Sequence, residues 1–503
     1  MTSRSRENLA GEFMIASNAR FGVFPERIAL ALVVYVVLAL SVPEATSTAR
    51  AEGSPSMLWI RQFGTSEFDS ANALAADMSG IYVAGDMGGP FLGTTTNTGF
   101  LRKYDPDGNV LWTSVVGDYT YAVALGASGA FVVGATFTTL PNETSVGGID
   151  AFVRKYDTDG GILWTRQFGT SSDDYAFAVV ASASLVYVAG HTRGTFPGEA
   201  SEGGFDAFVR EYDTNGSAVW TSQFGTSADD SAVGIAVAPS GAYVTGVTGG
   251  SFPGETNAGG PDGFLRRYSM NGSVLWTRQF GSPLYDLTNS VATDSSGAYV
   301  AGYTSGSDAF LTKYDVDGNL LWIRRFGAWG PFVSAVALGS SGIYVAGGVA
   351  GTFPGQVNSS SVDVFLGKSD LEGYILSAQQ FGRFAIDGAN SVASAGSRVY
   401  VAGYFSGTFP GETSVGKNDA FVSAFSEPGS IPTFNPLLAA TVATAIAVAS
   451  ALVVLMWKRR RGKPTSPVPP PLQPPKSQPD IKTILISPPA STLLARVCQV
   501  SYG

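Results

Sequence analysis

The chain of 503 residues has very little cysteine, histidine and charge. It contains one Cys and one His, and only 14% of its residues are charged. One cysteine excludes a disulfide-stabilised scaffold, and the pair excludes a Cys/His zinc site, because such sites need several of these ligands. Glycine is abundant instead, with 62 residues, and aromatic residues make up 12% of the chain. This composition indicates a helix-poor fold with several domains or one large repeat domain.

Charge is unevenly distributed along the chain. The net charge is −9, yet residues 1–51 hold five Arg and four Glu, and residues 458–503 hold eight basic residues and one Asp. The body between them has 18 basic and 35 acidic residues, a net charge of about −17. An acidic body argues against nucleic-acid binding, which needs a positively charged surface.

Residues 437–457 form an uncharged apolar stretch of 21 residues. As a helix, this length crosses the hydrocarbon core of a bilayer, which is ~30 Å thick. Five basic residues follow within 458–463, and such flanks stay cytoplasmic, while Trp457 suits the membrane interface. The stretch is therefore predicted to be a transmembrane helix, with a buried core helix as the alternative.

A shorter apolar stretch lies near the N-terminus. Residues 28–42 follow two arginines, and an Ala-Arg-Ala cleavage pattern ends at Ala51, which is typical of a secretory signal peptide over residues 1–51. We expect cleavage after Ala51; the alternatives are a start at Met14 and an uncleaved signal anchor. Cleavage and anchoring both place residues 52–436 outside the cytoplasm, which predicts a single-pass cell-membrane protein.

Both sides of the predicted membrane carry further features. Residues 458–503 are basic and then proline-rich, which indicates disordered chain of polyproline type. Their PxxP pattern could engage a cytoplasmic partner, or the tail could be solvated and without function. On the outside, Asn-x-Ser/Thr sequons make four residues candidates for glycosylation. These are Asn142, Asn215, Asn271 and Asn358.

Three sequence markers recur seven times in the body. The first, LWxRQFG and its relatives, starts at Leu58, Leu111, Leu163, Val219, Leu275, Leu321 and Leu376. The second, YVAG and its relatives, ends at Gly85, Gly134, Gly190, Gly246, Gly302, Gly347 and Gly403. The third, DAF and its relatives, surrounds Phe100, Phe152, Phe208, Phe264, Phe310, Phe365 and Phe421. Self-similarity with a spacing of 46 to 56 residues indicates a repeat architecture.

Each repeat is predicted to form four short strands. An Ala-rich strand comes first, and the segments around YVAG, DAFVRKYD and LWTRQFG follow, because β-branched and aromatic residues alternate there between turn residues. The DxDG link between the third and fourth strands is a hairpin turn whose Gly takes a positive φ. Four-stranded units of this length are typical of propeller blades, with small Ala side chains near the axis and Trp and Phe between blades.

The two ends of the array predict how a ring closes. The body begins at Leu58 with a fourth strand and ends near Phe421 with a third strand that has no successor. Pairing the N-terminal strand into the last blade completes seven blades and removes an open edge. The predicted fold class is therefore all-β, a seven-bladed propeller over residues 52–425. A stalk over residues 426–436 and the transmembrane helix follow.

The combination of LWxRQFG, SGIYVAG, TFPG and DAFVRKYDxDGN resembles the seven-bladed β-propeller repeat family known as SBBP. The resemblance covers residues 57 to about 425. It implies the propeller fold and a location on the cell surface or outside the cell, and it implies no catalytic residue.

Strand direction predicts which face of the propeller points away from the membrane. The loops between second and third strands and the links between blades share one face, called here the loop face. The last blade ends after its third strand, on the opposite face, so the loop face should point away from the membrane. Loops on a rigid scaffold commonly carry binding function. In blade 5 only five residues separate Gly302 from Asp308, against 15 in five other blades, which predicts a notch in the rim.

A set of repeated acidic residues is the candidate partner-binding site. They lie five positions after the Gly of the fourth-strand motif: Asp69, Asp174, Asp230, Asp286 and Asp387. A partial ring of carboxylates at the channel mouth could bind a cation, including calcium, or a basic ligand. The alternative is that each Asp caps its own turn by accepting backbone N–H bonds. Blade 6 breaks the pattern with Phe332 at this position and Trp329 nearby, which predicts an apolar gap.

Other motifs favour architecture over chemistry. The DxDG turns lack the downstream Glu of an EF-hand, and His191 has no Cys or Ser constellation, so it is interpreted as a surface substitution. No cofactor is expected. The sequence favours a recognition, adhesion or scaffold module that binds an extracellular protein or glycan through the loop face. The alternatives are a membrane-tethered enzyme of hydrolase, lyase or quinone type and a structural envelope component, because the fold does not fix function.

Overall fold

The computed structural model describes residues 54–427, except residues 96, 305–307, 327–329, 354, 358–360 and 383–385. Within this part, 28 strands form seven sheets of four antiparallel strands, which confirms the all-β class and the seven blades. The predicted signal peptide, transmembrane helix, cytoplasmic tail and nearly all of the stalk lie outside the described residues. Among the described residues, no helix has the length and apolar character needed to span a bilayer.

The first and second strands of each blade are the two that lie nearest the axis of the ring. The innermost strands of blades 1 to 7 are β2 (Asp69–Asp77), β6 (Tyr119–Gly126), β10 (Asp174–Ala181), β14 (Asp230–Ala238), β18 (Asp286–Asp294), β22 (Pro331–Gly339) and β26 (Gly388–Ala395). The second strands are β3 (Gly80–Met87), β7 (Gly129–Thr136), β11 (Leu185–Thr192), β15 (Gly241–Thr248), β19 (Gly297–Thr304), β23 (Gly342–Val349) and β27 (Arg398–Phe405).

The two outer strands complete each blade. The third strands are β4 (Thr98–Tyr104), β8 (Asp150–Tyr156), β12 (Asp206–Asp213), β16 (Asp262–Tyr268), β20 (Asp308–Asp315), β24 (Asp363–Ser369) and β28 (Asp419–Ser426). The fourth strands are β5 (Val110–Val115), β9 (Ile162–Phe168), β13 (Ala218–Phe224), β17 (Val274–Phe280), β21 (Leu320–Arg325), β25 (Ile375–Phe381) and, for blade 7, β1 (Met57–Phe63).

The ring closes as the sequence predicted. β1 pairs antiparallel with β28, so the N-terminal strand completes the last blade, and β2 contacts both β26 and β6 around the axis. At the start of this pair, the Ser426 N–H donates to the Ser56 carbonyl oxygen at 2.9 Å. The edge of β28 that would otherwise be open is therefore covered by main-chain hydrogen bonds.

The core consists of stacked blade faces rather than one central cluster. The second and third strands are almost entirely buried, because each blade packs against a neighbour on both sides. The fourth-strand Phe fills part of this space: Phe168 meets Phe208 edge to face at 5.9 Å between ring centroids. Such edge-to-face geometry is favourable for aromatic pairs.

The tryptophans of the fourth strands dock on the hairpin of the following blade. Trp112 Nε1 donates to the Thr158 carbonyl oxygen at 3.1 Å, and a Cβ on Gly160, at φ +89°, would lie 2.8 Å from the indole. This position therefore needs Gly both for its φ and for the close approach of the ring. Blade 6 has Ser377 instead of Trp, and the blade after it has no such hairpin, because its third and fourth strands come from opposite ends of the array. Because that hairpin is missing, the seventh copy of the LWxRQFG motif, which starts at Leu376, needs no Trp.

Candidate functional site

The loop face is held rigid by a glutamine on the fourth strand of five blades. In blade 3, Gln223 Nε2 donates to the Gly194 carbonyl oxygen at 2.9 Å and to Asp206 Oδ2 at 2.8 Å. Gln223 Oε1 accepts from Phe196 N at 2.9 Å, and Glu199 Oε2 accepts from Gln223 N at 2.9 Å. We call this arrangement the glutamine latch. The equivalent glutamines are Gln62, Gln167, Gln279 and Gln380.

The latch was missed in the sequence, although a signal for it is present. Blades 1 and 5 have Val115 and Arg325 at the latch position. These two blades also lack the TFPG-type loop between their second and third strands. The Gln and the loop therefore occur together, which is what a direct contact between them requires.

The repeated aspartates are buried and cap the links between blades. Asp69 is 2% exposed, its Oδ2 accepts from Thr65 N at 2.5 Å, and its Oδ1 accepts from Gly88 N at 2.9 Å. These backbone N–H bonds are the ones that the capping alternative predicts. Burial also raises the pKa of the equivalent Asp174 to about 6. The other carboxylates accept a backbone N–H at 2.6 or 2.7 Å, namely Asp174, Asp230, Asp286 and Asp387.

Strand register corrects two positions of this set. Asp118 of blade 2 occupies the same place, since Thr136 Oγ1 and Phe137 N each donate to its Oδ2 at 2.8 Å. In blade 6 the place is taken by Pro331, which pairs with Val349, and not by Phe332. Counting from the preceding Gly missed Asp118 and placed blade 6 one residue too late, because the links between blades differ in length. Trp329, the other residue of the predicted apolar gap, lies outside the described residues.

The channel mouth on the loop face has a polar side. On blades 1, 5 and 7, an Asn of the innermost strand donates from Nδ2 to a main-chain carbonyl of the next blade: Asn72 to Thr120, Asn289 to Val333 and Asn390 to Ala71, at 3.0, 2.7 and 3.1 Å. Asn72 also donates to the carboxylate of Asp86, whose pKa burial raises to about 7. These amides join neighbouring innermost strands around the axis.

Blades 2 and 3 contribute an aromatic side to the mouth. Ring centroids of Tyr121 and Phe177 lie 5.1 Å apart across the blade junction. His191 lies 5.1 Å from Tyr175, 4.8 Å from Phe177 and 4.2 Å from Phe205. All five rings are half-buried. His191 therefore belongs to an aromatic cluster, which the interpretation of a surface substitution did not foresee.

A cavity of about 620 Å³ opens beside this cluster, between blades 3, 4 and 5. Phe177, His191 and Phe205 line one side of it, and Tyr285 and Leu287 of blade 5 line the other. The notch predicted for blade 5 falls on residues 305–307, which lie outside the described residues. The cavity is thus a concave feature lined by aromatic side chains of blades 3 and 5.

The rim around the mouth exposes large apolar side chains. Phe137 and Tyr285 are 55% and 48% exposed. Others on the same loops and links are Phe68, Leu92, Val146, Leu284, Val357, Ile386 and Val415. Large aliphatic side chains are also exposed on the fourth strands, among them Leu111 and Leu163. Among the described residues, the exposed aromatic side chains are concentrated on the loop face, with Tyr374 as the exception. Aromatic side chains are enriched at interaction surfaces.

The remaining candidate residues are spread over the surface. Asn142 is exposed on the loop face, and Asn215 and Asn271 are exposed in hairpins of the opposite face, whereas Asn358 lies outside the described residues. Asp105 confirms the hairpin prediction, because its Oδ1 accepts from Asp107 N and Asn109 N at 2.9 Å. Within the described ranges, no three His, Cys, Asp or Glu side chains converge to hold a metal ion.

Known proteins resemble this chain in its repeat and its fold. Residues 275–308 match the family model described as Beta-propeller repeat (SBBP). Regulatory protein FlaEY of Caulobacter vibrioides is 24% identical over 352 residues, which cover 48% of this chain and 37% of that protein. The chain thus spans little more than a third of the length of this relative.

Three solved structures also align with the chain. BamB from Moraxella catarrhalis has 15% identity and a TM-score of 0.38, and the match covers 74% of this chain and 99% of that one. U3-55K has 13% identity and a TM-score of 0.42, with 73% and 99% covered. The Cps50 (Swd1) β-propeller domain of Myceliophteria thermophila has 9% identity and a TM-score of 0.45, with 73% and 99% covered. The repeat match and the closed ring of seven four-stranded sheets make this chain a seven-bladed β-propeller repeat protein.

Proposed function

We propose that this protein is a membrane-anchored, extracytoplasmic recognition or adhesion module that binds an extracellular protein or glycan through its loop face. The observation that supports this most is the set of exposed aromatic side chains on the rim around an aromatic channel mouth. Aromatic residues are enriched and charged residues depleted at the centre of recognition surfaces. The latched loops supply a rim that needs little ordering upon binding, which favours affinity.

The proposed orientation follows from where the propeller ends. β28 runs from Asp419 on the loop face to Ser426 on the opposite face. A stalk that begins there and leads into residues 437–457 leaves the loop face directed away from the bilayer. The apolar length and basic flank of residues 437–457 support the anchor itself.

The enzyme alternative has less support from the site. Catalytic pockets bring several charged or nucleophilic groups together. Of the described side chains that line the cavity beside the channel mouth, two are acidic, Asp229 and Asp230, and Asp230 is a buried link cap. A purely structural component would not need exposed aromatic side chains at the rim.

Binding can be tested with matched variants on the two faces. The full-length protein in lipid nanodiscs is applied to arrays of extracellular proteins and glycans. Phe137→Ser with Tyr285→Ser removes exposed rings from the loop face. Leu111→Ser with Leu163→Ser removes side chains of similar exposure, 52% and 51%, from the opposite face. We expect a ligand of the parent protein to be lost with the first pair only; loss with the second pair alone contradicts the proposal.

The proposed topology can be tested with the single cysteine. Cys498 lies in the predicted cytoplasmic tail. A membrane-impermeant maleimide should label it only after cells expressing the full chain are permeabilised. Labelling of intact cells would place the tail outside and overturn the orientation.

A further inference from the structure

The cavity between blades 3, 4 and 5 combines an apolar wall with one available carboxylate. Phe177, Phe205, Pro261 and Leu287 provide most of the wall. The carboxylate is that of Asp229, which is exposed at the rim. Its Oδ1 accepts from Phe205 N at 2.9 Å, which fixes the group in place. Among the described residues, its Oδ2 accepts no hydrogen bond.

The other polar side chains of the cavity include His191, Ser231 and Asp230. His191 Nδ1 and Ser231 Oγ lie 3.2 Å apart and bond to each other. Burial lowers the pKa of His191 to about 4, so the ring is neutral at pH 7. Asp230 is a buried link cap whose Oδ2 accepts from Thr226 N at 2.6 Å. The exposed charge among the side chains that line the cavity is therefore the carboxylate of Asp229.

One of the rings of the cavity lies against a cation of the chain itself. The guanidinium of Arg193 lies 5.1 Å from the ring centroid of Phe205. Aromatic faces attract cations in this geometry. Arg193 itself is not among the residues that line the cavity.

We infer that the cavity binds an arginine or lysine side chain of a protein partner, with the aliphatic stem on the apolar wall and the cationic head at Asp229 Oδ2. Long basic side chains bury their stems and keep their charged heads at a polar rim. The acidic body, with a net charge of about −17 over residues 52–457, attracts a basic partner. This inference rests on the proposed recognition function and specifies its ligand.

Other ligand classes fit the cavity less well. An anion would meet the carboxylate of Asp229, and no Arg or Lys is among the side chains that line the cavity. A glycan needs several hydrogen-bonding groups, whereas His191 and Ser231 are paired with each other. A purely apolar side chain would cover the charge of Asp229 and leave it without a partner, which is costly.

The experiment uses His191 as a reporter, because it is the only histidine in the chain. Full-length protein in nanodiscs, labelled with ¹³Cε1-histidine, is titrated with the peptide Ac-Gly-Arg-Gly-NH₂ while the His191 resonance is recorded by NMR. Ac-Gly-Leu-Gly-NH₂ and methyl glucoside serve as neutral probes. We expect a saturable shift with the arginine peptide and none with the neutral probes.

Two aspartates at equivalent repeat positions provide matched variants. Asp229→Asn keeps an oxygen for Phe205 N and removes the charge, so the dissociation constant of the arginine peptide should rise about 10- to 100-fold. Asp173 holds the same place in blade 3, where its Oδ1 accepts from Ile149 N at 3.2 Å, and it does not line the cavity. Asp173→Asn should leave the titration unchanged.

Each contrary result has a defined meaning. Equal shifts with the leucine peptide, or no effect of Asp229→Asn, would show an apolar pocket and overturn the inference. A shift with methyl glucoside alone would indicate a glycan site, and no shift with any probe would also overturn the inference. None of these results affects the array comparison of the two faces, so failure of the ligand class and failure of the recognition function are distinguishable.

Discussion

Replacing Gln223 with Leu should open one loop of the loop face while leaving the blades intact. Gln223 is 8% exposed, and its side chain makes three hydrogen bonds, to Gly194, Phe196 and Asp206. Leu fills a similar volume and leaves at least the Phe196 N–H and one Asp206 bond unmade. Each unmade buried hydrogen bond costs about 1–3 kcal/mol, so with two unmade bonds the latched form of the loop should lose about 2–6 kcal/mol.

Hydrogen exchange measured by mass spectrometry reports this loss locally. Residues 194–205 should exchange faster in Gln223→Leu by a factor of about 30 or more, since 2 kcal/mol corresponds to roughly that ratio. The equivalent loop of blade 4, residues 250–261, is an internal reference that should not change. Val115→Leu is the matched control, because blade 1 has no latch at this position. Unchanged protection in residues 194–205, or equal deprotection in both variants, would refute the latch.

Three further predictions concern pH and blade docking. Burial raises the pKa of Asp86 to about 7, so the stability that its neutral form contributes is present below about pH 4 and is lost as pH rises through 7. In urea unfolding, Asp86→Asn should therefore have a free energy of unfolding about 2 kcal/mol above that of the parent at pH 9 and equal to it at pH 4. Burial lowers the pKa of His191 to about 4, so the stability contributed by its neutral ring is present above pH 6.5 and is lost as pH falls through 4. His191→Gln should therefore reduce the loss of unfolding free energy at acid pH by about 2–3 kcal/mol. The same loss in parent and variant would contradict the burial of the ring. Trp164→Ala should lower the free energy of unfolding by about 3 kcal/mol in the same assay, because it removes the indole and its hydrogen bond to the Thr214 carbonyl oxygen. Ser377→Trp should not raise it, since blade 7 has no hairpin between its third and fourth strands to contact the new indole.

The features that sequence predicted well are those determined within one repeat or by its count. The DxDG hairpins follow from local turn chemistry, and the pairing of β1 with β28 follows from an unpaired fourth strand at one end of the array and an unpaired third strand at the other. These signals are periodic, so seven copies reinforce one another.

The features that sequence missed depend on contacts between segments whose spacing varies. The place of Asp118 was lost because its link is shorter than that before Asp174, so a fixed offset from Gly pointed elsewhere. The cluster around His191 requires the register of β10 with β11, in which Tyr175 is the partner of His191, and the stacking of blade 3 on blade 2. Neither can be obtained by counting residues along one strand.

Closure of the ring by β1 is the claim on which the loop face and its ligand site depend, and a designed disulfide tests it directly. Ile60 and Ser423 are paired residues of β1 and β28, and directly opposed antiparallel residues lie within the Cα distance that a disulfide spans. Ile60→Cys with Ser423→Cys, in a Cys498→Ser background, should form a cross-link that mass spectrometry identifies in the oxidised full-length protein. Ile60→Cys with Ser222→Cys, on blade 3, should form none. A cross-link in the second variant, or its absence in the first, would contradict the closed seven-bladed ring.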